Sequence, residues 1–254
     1  MKVVILAGGY GTRLGDLTEN IPKPMVKIGE EPILVHIMRR YAKFGFNDFI
    51  IALGYKKEII KKYFFNLKLE SCDLTIDFSD DKIKFHDENS LDWKVTLVDT
   101  GQNTLTGGRL LRLREYIGAE TFMLTYGDGL TDIDFQSELL FHRKAKKMVT
   151  VAAVRPSARF GELTIENSMV TGFEEKPQTQ LGWVNGGFFI MEPDFLDLIE
   201  DDSTILEQKP LEMVTQSDQL HAYQHEGFWQ CMDTRRDKDL LEEIYNAGHA
   251  PWTI

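Results

Sequence analysis

The sequence predicts an α/β protein built on a doubly wound, mainly parallel sheet. The chain opens with a short β-branched apolar run, Lys2–Ala7, and a glycine-rich loop follows it at once. Strand-like and helix-like segments then alternate as far as about residue 155. Sheets of this Rossmann-like kind bind ligands in a crevice at the carboxyl ends of their strands. The glycine loop is therefore the first candidate ligand site.

The first half of the chain reads as strand and helix units. Apolar residues at helical spacing predict a helix over residues 32–44 that ends at Gly45, and residues 48–53 return as a strand. The same criteria predict further helices over 58–65 and 108–116 and strands over 94–98 and 121–126. Helices on both faces of one sheet follow from this alternation.

The second half predicts a continuation of the sheet and a smaller β-rich lobe. Residues 162–165 and 169–174 flank Asn167 and Ser168 as the strands of a hairpin would. A strand over 183–191 contains two adjacent glycines. Helices are predicted over 193–199, 206–215 and 235–245. We expect one domain over residues 1–254, because no repeat, low-complexity tract or linker interrupts it.

Composition excludes several classes of function. The 254 residues carry a formal net charge of −11, which repels polyanions and phospholipid surfaces, so we expect neither nucleic acid nor a membrane as a partner. The first twenty residues lack a basic segment followed by an apolar stretch. We therefore expect a soluble, cytoplasmic protein in which an anionic ligand needs a locally basic pocket.

Cysteine and histidine usage points away from zinc and hydrolytic sites. Cys72 and Cys231 are far apart in sequence and are interpreted as free thiols. The six histidines have no metal-ligand spacing, and no serine has the Gly-x-Ser-x-Gly surroundings of a nucleophile elbow.

The glycine loop indicates phosphate binding. It contains Gly8, Gly9 and Gly11, which let backbone N–H groups approach a phosphate, followed by Thr12 and Arg13. It is not the dinucleotide fingerprint, because a leucine stands at the third glycine position, nor a phosphate-binding loop of the Gly-Lys-Ser/Thr type. A tight turn without a ligand explains the glycines equally well.

Lys23 is a cation on a stiff segment. It stands between Pro22 and Pro24, which restrict the backbone. Such a lysine suits a phosphate, although a solvated loop lysine is the alternative.

Asp128 and Asp233 are candidate Mg²⁺ ligands. Asp128 follows an apolar strand, between Gly127 and Gly129, and Asp233 precedes the last predicted helix. Two carboxylates suit Mg²⁺, which keeps waters and bridges substrate phosphates. Either residue alone is typical of a turn or a helix cap.

Two later segments could hold hydroxyls and a second phosphate. The first ends a predicted strand with Glu174, Glu175, Lys176 and Pro177, and the second is Asn185-Gly186-Gly187. A charged strand end and a bulge are the alternatives.

Leu6-Ala7-Gly8-Gly9-Tyr10-Gly11-Thr12-Arg13-Leu14 followed by Pro22-Lys23-Pro24-Met25 resembles the signature of sugar nucleotidyltransferases. The resemblance extends over nearly the whole chain and is strongest to the branch that uses CTP and glucose 1-phosphate. The stretches that favour this branch include residues 98–101, 106–110, 227–230 and 232–234. Cys231 stands where that branch is expected to have a proline.

The resemblance implies a reaction of CTP with glucose 1-phosphate that gives CDP-glucose and pyrophosphate. It also implies Mg²⁺ as cofactor, a homo-oligomer, commonly a hexamer, and a place in making the dideoxy sugars of lipopolysaccharide O-antigen. The nucleotide-binding part would be about 1–130 and the sugar-binding part about 131–254. A thymidylyl- or uridylyltransferase, or a non-catalytic regulatory homologue that binds sugar nucleotides, remains an alternative.

The resemblance also assigns roles to residues. The catalytic residues would be Arg13, Lys23, Asp128 and Asp233, with Asp128 and Asp233 holding the metal. The nucleotide would contact Leu6, Ala7, Gly8, Gly9, Tyr10, Gly11, Thr12, Arg13, Lys23, Thr104, Thr106, Gly107, Arg109 and Gly127. The sugar phosphate would contact Tyr126, Glu175, Lys176, Asn185 and Gly186. Arg109 would either read the base or act as a general anchor.

Overall fold

A computed structural model describes residues 1–86, 91–156, 162–166, 169–174 and 182–253. Its strands in these ranges are β1 (Lys2–Ala7), β2 (Lys27–Ile28), β3 (Glu31–Pro32), β4 (Asp48–Leu53), β5 (Leu74–Asp77), β6 (Lys82–Phe85), β7 (Lys94–Asp99), β8 (Phe122–Tyr126), β9 (Gly129–Thr131), β10 (Val149–Val154), β11 (Glu162–Glu166), β12 (Met169–Glu174), β13 (Val184–Met191), β14 (Leu220–His225) and β15 (Trp229–Cys231). Its α-helices there are α1 (Ile33–Lys43), α2 (Lys57–Glu70), α3 (Thr106–Arg112), α4 (Arg114–Ile117), α5 (Phe135–Ala145), α6 (Lys209–Gln216) and α7 (Arg235–Asn246). Short 3₁₀ helices are Thr12–Thr18, Lys23–Met25, Pro193–Leu198 and Pro251–Thr253.

The central sheet confirms the predicted fold class. Seven strands of the described chain form it, in the order β14-β10-β13-β8-β1-β4-β7. Neighbouring strands run parallel except that β13 is antiparallel to both β8 and β10. The sheet is therefore mixed but mainly parallel.

Burial on both faces explains why β1 is a continuous apolar run. Val3 and Ile5 pack in a cluster with α1, whereas Val4 and Leu6 pack in a second cluster with α3 and α4. Alternate side chains of a strand point to opposite faces, so both faces of this strand are covered.

Most predicted elements are confirmed, and their boundaries change. The helix predicted over 58–65 continues to Glu70, because apolar residues on α2 keep contacting the core as far as Leu67. The single helix predicted over 108–116 is two helices, α3 and α4, joined at Leu113. The hairpin predicted at 162–174 is the antiparallel pair β11 and β12.

Connections at the carboxyl edge of the sheet bring distant segments together. β1 and β8 are adjacent and parallel, with Leu6 opposite Tyr126, so the loops that follow them leave the sheet side by side. β9 and β15 pair as a small antiparallel ribbon beyond this edge. Among the residues described, no helix combines the length and the apolar character that crossing a membrane requires.

Candidate active site

A cleft of about 800 Å³ opens at the carboxyl ends of β1 and β8. Most of the residues that the sequence singled out line it: Leu6, Ala7, Gly8, Gly9, Tyr10, Gly11, Thr12, Arg13, Lys23, Thr104, Thr106, Arg109, Tyr126, Gly127, Asp128, Asn185 and Asp233. Motifs that lie far apart in sequence thus meet at one site.

Four expected site residues are placed differently or lie outside the description. Gly107 packs away from the cleft, where its amide donates to the Thr204 carbonyl at 2.9 Å. Gly186 lines a small recess beside the cleft instead of the cleft itself. Glu175 and Lys176 fall outside the described residues.

Glycine is required at two positions of the loop after β1 for different structural reasons. Gly11 has φ 65°, a left-handed conformation that side chains disfavour. A Cβ on Gly8 would lie 2.1 Å from the Nη1 atom of Arg109, so a side chain there would displace the guanidinium. The loop is therefore shaped partly by the arginine that packs behind it.

Arg109 holds the loops that surround the cleft. Its side chain is buried, and its two terminal nitrogens donate to five acceptors within 3.2 Å: the carbonyls of Leu53, Gly101, Gly8 and Gln102 and the hydroxyl of Thr100. Burial lowers the pKa of Arg109 from its ordinary value. These contacts tie the ends of β1 and β4 to the segment that follows β7.

The two aspartates meet around Lys23. The Lys23 Nζ atom donates to Asp128 Oδ2 at 2.5 Å and to Asp233 Oδ1 at 2.6 Å. Asp233 Oδ2 also accepts from Arg13 Nη1 at 2.8 Å. The Lys23 side chain is 13% exposed and that of Arg13 is 75% exposed, so only the lysine is held within the protein.

The β9–β15 ribbon is the reason that the aspartates are neighbours. Gly129 pairs with Cys231 at one end of the ribbon, and the Met232 amide donates to the Asp128 carbonyl at 2.9 Å. Asp233 is the next residue, so its side chain reaches the same point. Thr234 then caps α7 in a capping box, which fixes where the helix begins.

Electrostatics keep this cluster charged. Burial alone would lower the pKa of Lys23, but the two aspartates raise it above its ordinary value. Burial raises the pKa of Asp233, and the opposing effects of Lys23 and Arg13 leave it below its ordinary value. Burial and the neighbouring Asp233 raise the pKa of the Cys231 thiol to about 11, so this thiol stays protonated at neutral pH.

The other end of the cleft adds Glu207 and Trp229, which the sequence did not single out for binding. The Tyr126 hydroxyl donates to Glu207, and the Thr106 hydroxyl donates to the same carboxylate at 2.7 Å. Trp229 Nε1 donates to the Gly186 carbonyl at 2.7 Å. Glu207 lies in an irregular segment before α6, where no motif marks it. Its position in the cleft is visible only in the folded structure.

Asn185 lies where β13 departs from regular pairing. Ala153 pairs with Asn185, whereas Val151 pairs with Phe189, so β13 has extra residues at its glycines. Gly187 has φ 79°, and its amide donates to Asn185 Oδ1 at 2.8 Å. The bulge therefore aims Asn185 into the cleft.

Comparison with known proteins identifies the family. The profile of the nucleotidyl transferase family matches residues 2–246. The chain belongs to the nucleotidyl transferase family. This nucleotidyl transferase is 47% identical to the glucose-1-phosphate cytidylyltransferase of Salmonella typhi over 253 residues, which cover 99% of this chain and 98% of that protein.

A second curated protein and a solved structure are also similar to this nucleotidyl transferase. It is 40% identical to the probable glucose-1-phosphate cytidylyltransferase of Bacillus subtilis over the full length of both chains. It is similar in fold to the crystal structure of HddC from Yersinia pseudotuberculosis, with a TM-score of 0.70 and 23% identity over 96% of this chain and 99% of that one.

The carboxylates of this nucleotidyl transferase fit a divalent cation. The ammonium of Lys23 between them shows that their oxygens converge on a point that accepts positive charge. The described residues contain no cluster of three or more His, Cys, Asp or Glu side chains placed to hold a metal. Two carboxylates with water and phosphate oxygens match the preference of Mg²⁺.

Proposed function

We propose that this chain is a glucose-1-phosphate cytidylyltransferase, which converts CTP and α-D-glucose 1-phosphate to CDP-glucose and pyrophosphate. The observation that carries the proposal is its 47% identity, over 99% of its length, to a protein of that name. The cleft supports it, because the glycine loop, Lys23, Asp128 and Asp233 line one space.

The chemistry requires no protein nucleophile. An oxygen of the sugar phosphate, already anionic, attacks the α-phosphorus of CTP in line with the departing pyrophosphate. The bond from the α-phosphorus to the bridging oxygen breaks as the new bond forms. Positioning of the two reactants can lower such a barrier by about 7 to 11 kcal/mol in favourable cases.

The triphosphate end of the cleft supplies positive charge and backbone donors. The amides of the glycine loop, Thr12 and Arg13 would bind the phosphates of CTP. Lys23 would stabilise the charge that grows on the α-phosphate in the transition state. Mg²⁺ held by Asp128 and Asp233 would neutralise charge on the phosphate oxygens.

The other end of the cleft suits the sugar. Tyr126, Asn185 and Glu207 lie there and offer both donors and acceptors to hydroxyl groups. The contacts expected of Glu175, Lys176 and Gly186 with the sugar phosphate stay predictions.

Recognition of cytosine is the most specific part of the proposal. Cytosine presents an amine donor and a ring nitrogen acceptor, so a selective pocket must offer the reverse pattern. Thr104 and Thr106 line the cleft near Arg109 and can supply hydroxyls, and the loop carbonyls can supply acceptors. An unpaired polar group with the wrong base costs about 1 to 3 kcal/mol.

Measuring pyrophosphate release tests the proposal. The purified protein is incubated with glucose 1-phosphate, Mg²⁺ and each of CTP, UTP and dTTP, and an Asp128→Asn variant serves as the inactive control. Release that is fastest with CTP is expected. Faster release with UTP or dTTP would make the chain a uridylyl- or thymidylyltransferase, and none with any triphosphate would favour the regulatory homologue.

The proposal includes assembly and location. By resemblance, we propose a homo-oligomer, with six copies as the expected number, that works in the cytoplasm and serves the synthesis of dideoxy sugars. Light scattering on the purified protein tests the copy number, and cell fractionation tests the location.

A further inference from the structure

We propose that a β-hairpin arm of one copy of this chain docks into an apolar groove on a second copy. The arm consists of β5, β6 and the turn between them, residues 74–85. The groove lies between α2 and the edge strand β7. The proposal deepens the proposed homo-oligomer by saying which surfaces meet, and it does not depend on the reaction.

The arm has an exposed apolar face. Leu74 pairs with Phe85 and Ile76 pairs with Ile83, so the four side chains share one face of the hairpin. Ile76 and Ile83 are each 49% exposed. A two-stranded hairpin is marginally stable by itself in water, and this one has a face that a partner would cover.

The tip of the arm is more exposed still. Phe78 is 86% exposed, and it is the most exposed of the large hydrophobic side chains in the described chain. Aromatic side chains, phenylalanine included, are enriched at the cores of protein interfaces, so this exposed ring suits an anchor that enters a pocket on a partner.

The groove has the size and lining to receive such an anchor. It encloses about 920 Å³, and its apolar lining includes Phe65, Leu91, Trp93 and Leu97. The Phe65 side chain is 62% exposed at this surface. The groove lies at the outer edge strand of the sheet, whereas the cleft for substrates lies at the centre, beyond β1 and β8.

The charges of the arm and the groove are also complementary. Residues 77–82 at the tip contain three aspartates and one lysine, a net charge of −2. Lys61, Lys62 and Lys68 line the groove, and its lining within the described chain contains no acidic residue. A protein with a net charge of −11 repels its own copies at most orientations, so a basic groove that faces an acidic tip favours this one.

The geometry of the chain favours a second copy over the same copy. The base of the arm lies beside the groove, where Lys68 Nζ is 5.2 Å from the centre of the Phe85 ring. Each strand has four residues, so the tip lies about 13 Å farther along the arm. Because arm and groove are different surfaces, the contact is head-to-tail and a closed ring satisfies every copy.

A mixing experiment tests this contact. The arm variant Phe78→Asp and the groove variant Phe65→Asp change exposed side chains, and Leu140→Asp on α5, 64% exposed, is the matched control. Molar mass is measured by light scattering after size-exclusion chromatography, and circular dichroism checks folding. We expect wild type and the control to be oligomers and each docking variant alone to be a monomer. An equal mixture of the two variants should form heterodimers only, because one intact arm still meets one intact groove.

Other outcomes overturn the proposal. A monomeric wild type, or docking variants with the wild-type mass, would exclude the contact. Monomers that stay monomers when mixed would show that arm and groove do not pair with each other. If an aspartate variant does not fold, the surface charge reversals Asp80→Lys with Asp81→Lys and Lys61→Glu with Lys62→Glu replace the pair in the same scheme. The proposed catalytic site is tested separately on the same samples. The rise in melting temperature when Mg²⁺ and CTP are added measures their binding in each variant.

Discussion

The side chain of Lys23 lies between the carboxylates of Asp128 and Asp233. In the proposed reaction these two carboxylates hold the metal ion. We expect Asp128→Asn or Asp233→Asn to lower turnover at least about a hundredfold, the order found when one charge-stabilising group is removed. Each change removes a charge but little volume, so the protein should stay folded. Turnover at low Mg²⁺ and circular dichroism check this. A near-wild-type rate in both variants would contradict the metal assignment.

Lys23 itself should act on the transition state. Its ammonium is held by ion pairs and its pKa is raised, so it stays charged throughout the accessible pH range. We expect Lys23→Ala to lower kcat more than it weakens CTP binding, because the charge that it faces grows as the reaction proceeds. Steady-state kinetics measure both quantities. An unchanged kcat with a higher KM for CTP would show that the lysine serves only ground-state binding.

Arg109 supports a different kind of prediction. The sequence left its role open between reading the base and anchoring, and its five hydrogen bonds to loop acceptors favour anchoring. We expect Arg109→Leu to lower the rate with CTP and with UTP by similar factors, because both nucleotides would bind at the same loops. Rates with both triphosphates measure this effect.

The control for Arg109 is on the same helix. Arg112 is exposed and pairs with Asp202 at the surface, so Arg112→Leu should leave both rates near the wild-type values. If Arg109→Leu lowers only the rate with CTP, the arginine contributes to recognition of the base.

At the level of elements, the sequence predicted the sheet better than the site. The run Lys2–Ala7 is buried on both faces, and such a pattern is visible in the chain itself. The ribbon of β9 and β15 has only three residues in each strand, and its pairing depends on contacts between segments about 100 residues apart. No local pattern could therefore show that Asp128 and Asp233 meet.

The same reasoning explains why the sequence did not indicate Glu207 at the end of the cleft that we propose for the sugar. Glu207 is exposed, lies in an irregular segment, and gains its place only because α3 packs against residues 202–206. The bulge at Gly186 and Gly187 was foreseen as an alternative to a binding segment, and the structure has the bulge. Its effect on the direction of Asn185 depends on the folded strand and could not be read from the sequence.

Helix α5 buries a carboxyl group that should make stability depend on pH. Glu138 is fully buried, one of its oxygens has no hydrogen-bond partner in the described structure, and burial raises its pKa from 4.5 to about 8. Between these values the folded state keeps a proton that the unfolded state releases. Stability therefore falls as pH rises through this window, by up to about 1.4 kcal/mol per pH unit from this group.

Replacing the group should remove that dependence. We expect Glu138→Gln, which does not titrate, to lose less stability than wild type between about pH 5 and pH 8. Urea unfolding at both pH values measures the difference, and the exposed Glu115→Gln is the control. Parallel losses in wild type and Glu138→Gln would show that the buried carboxyl is ionised in the folded state.

At the level of the whole molecule, charge is distributed unevenly. The net charge of −11 repels nucleotides over most of the surface, whereas Arg13 and Lys23 place positive charge in the cleft. The aspartates there offset this charge until a divalent cation binds. Nucleotide and metal should therefore bind cooperatively, because each supplies the charge that the other lacks.

Cooperative binding should be visible as stabilisation of the entire fold. A ligand that binds only the folded state adds about 2.7 kcal/mol at a hundred times its Kd, and a domain of this size gains about 2 to 4 °C in Tm per kcal/mol. We expect CTP with Mg²⁺ to raise Tm by more than the sum of the shifts with CTP alone and Mg²⁺ alone, and UTP with Mg²⁺ to raise it less. Asp233→Asn should lose the cooperative part while it keeps a shift with CTP alone. Additive shifts in wild type would show that the carboxylates do not link metal to nucleotide. A cooperative shift without pyrophosphate release would identify a protein that binds the nucleotide but does not carry out the transfer.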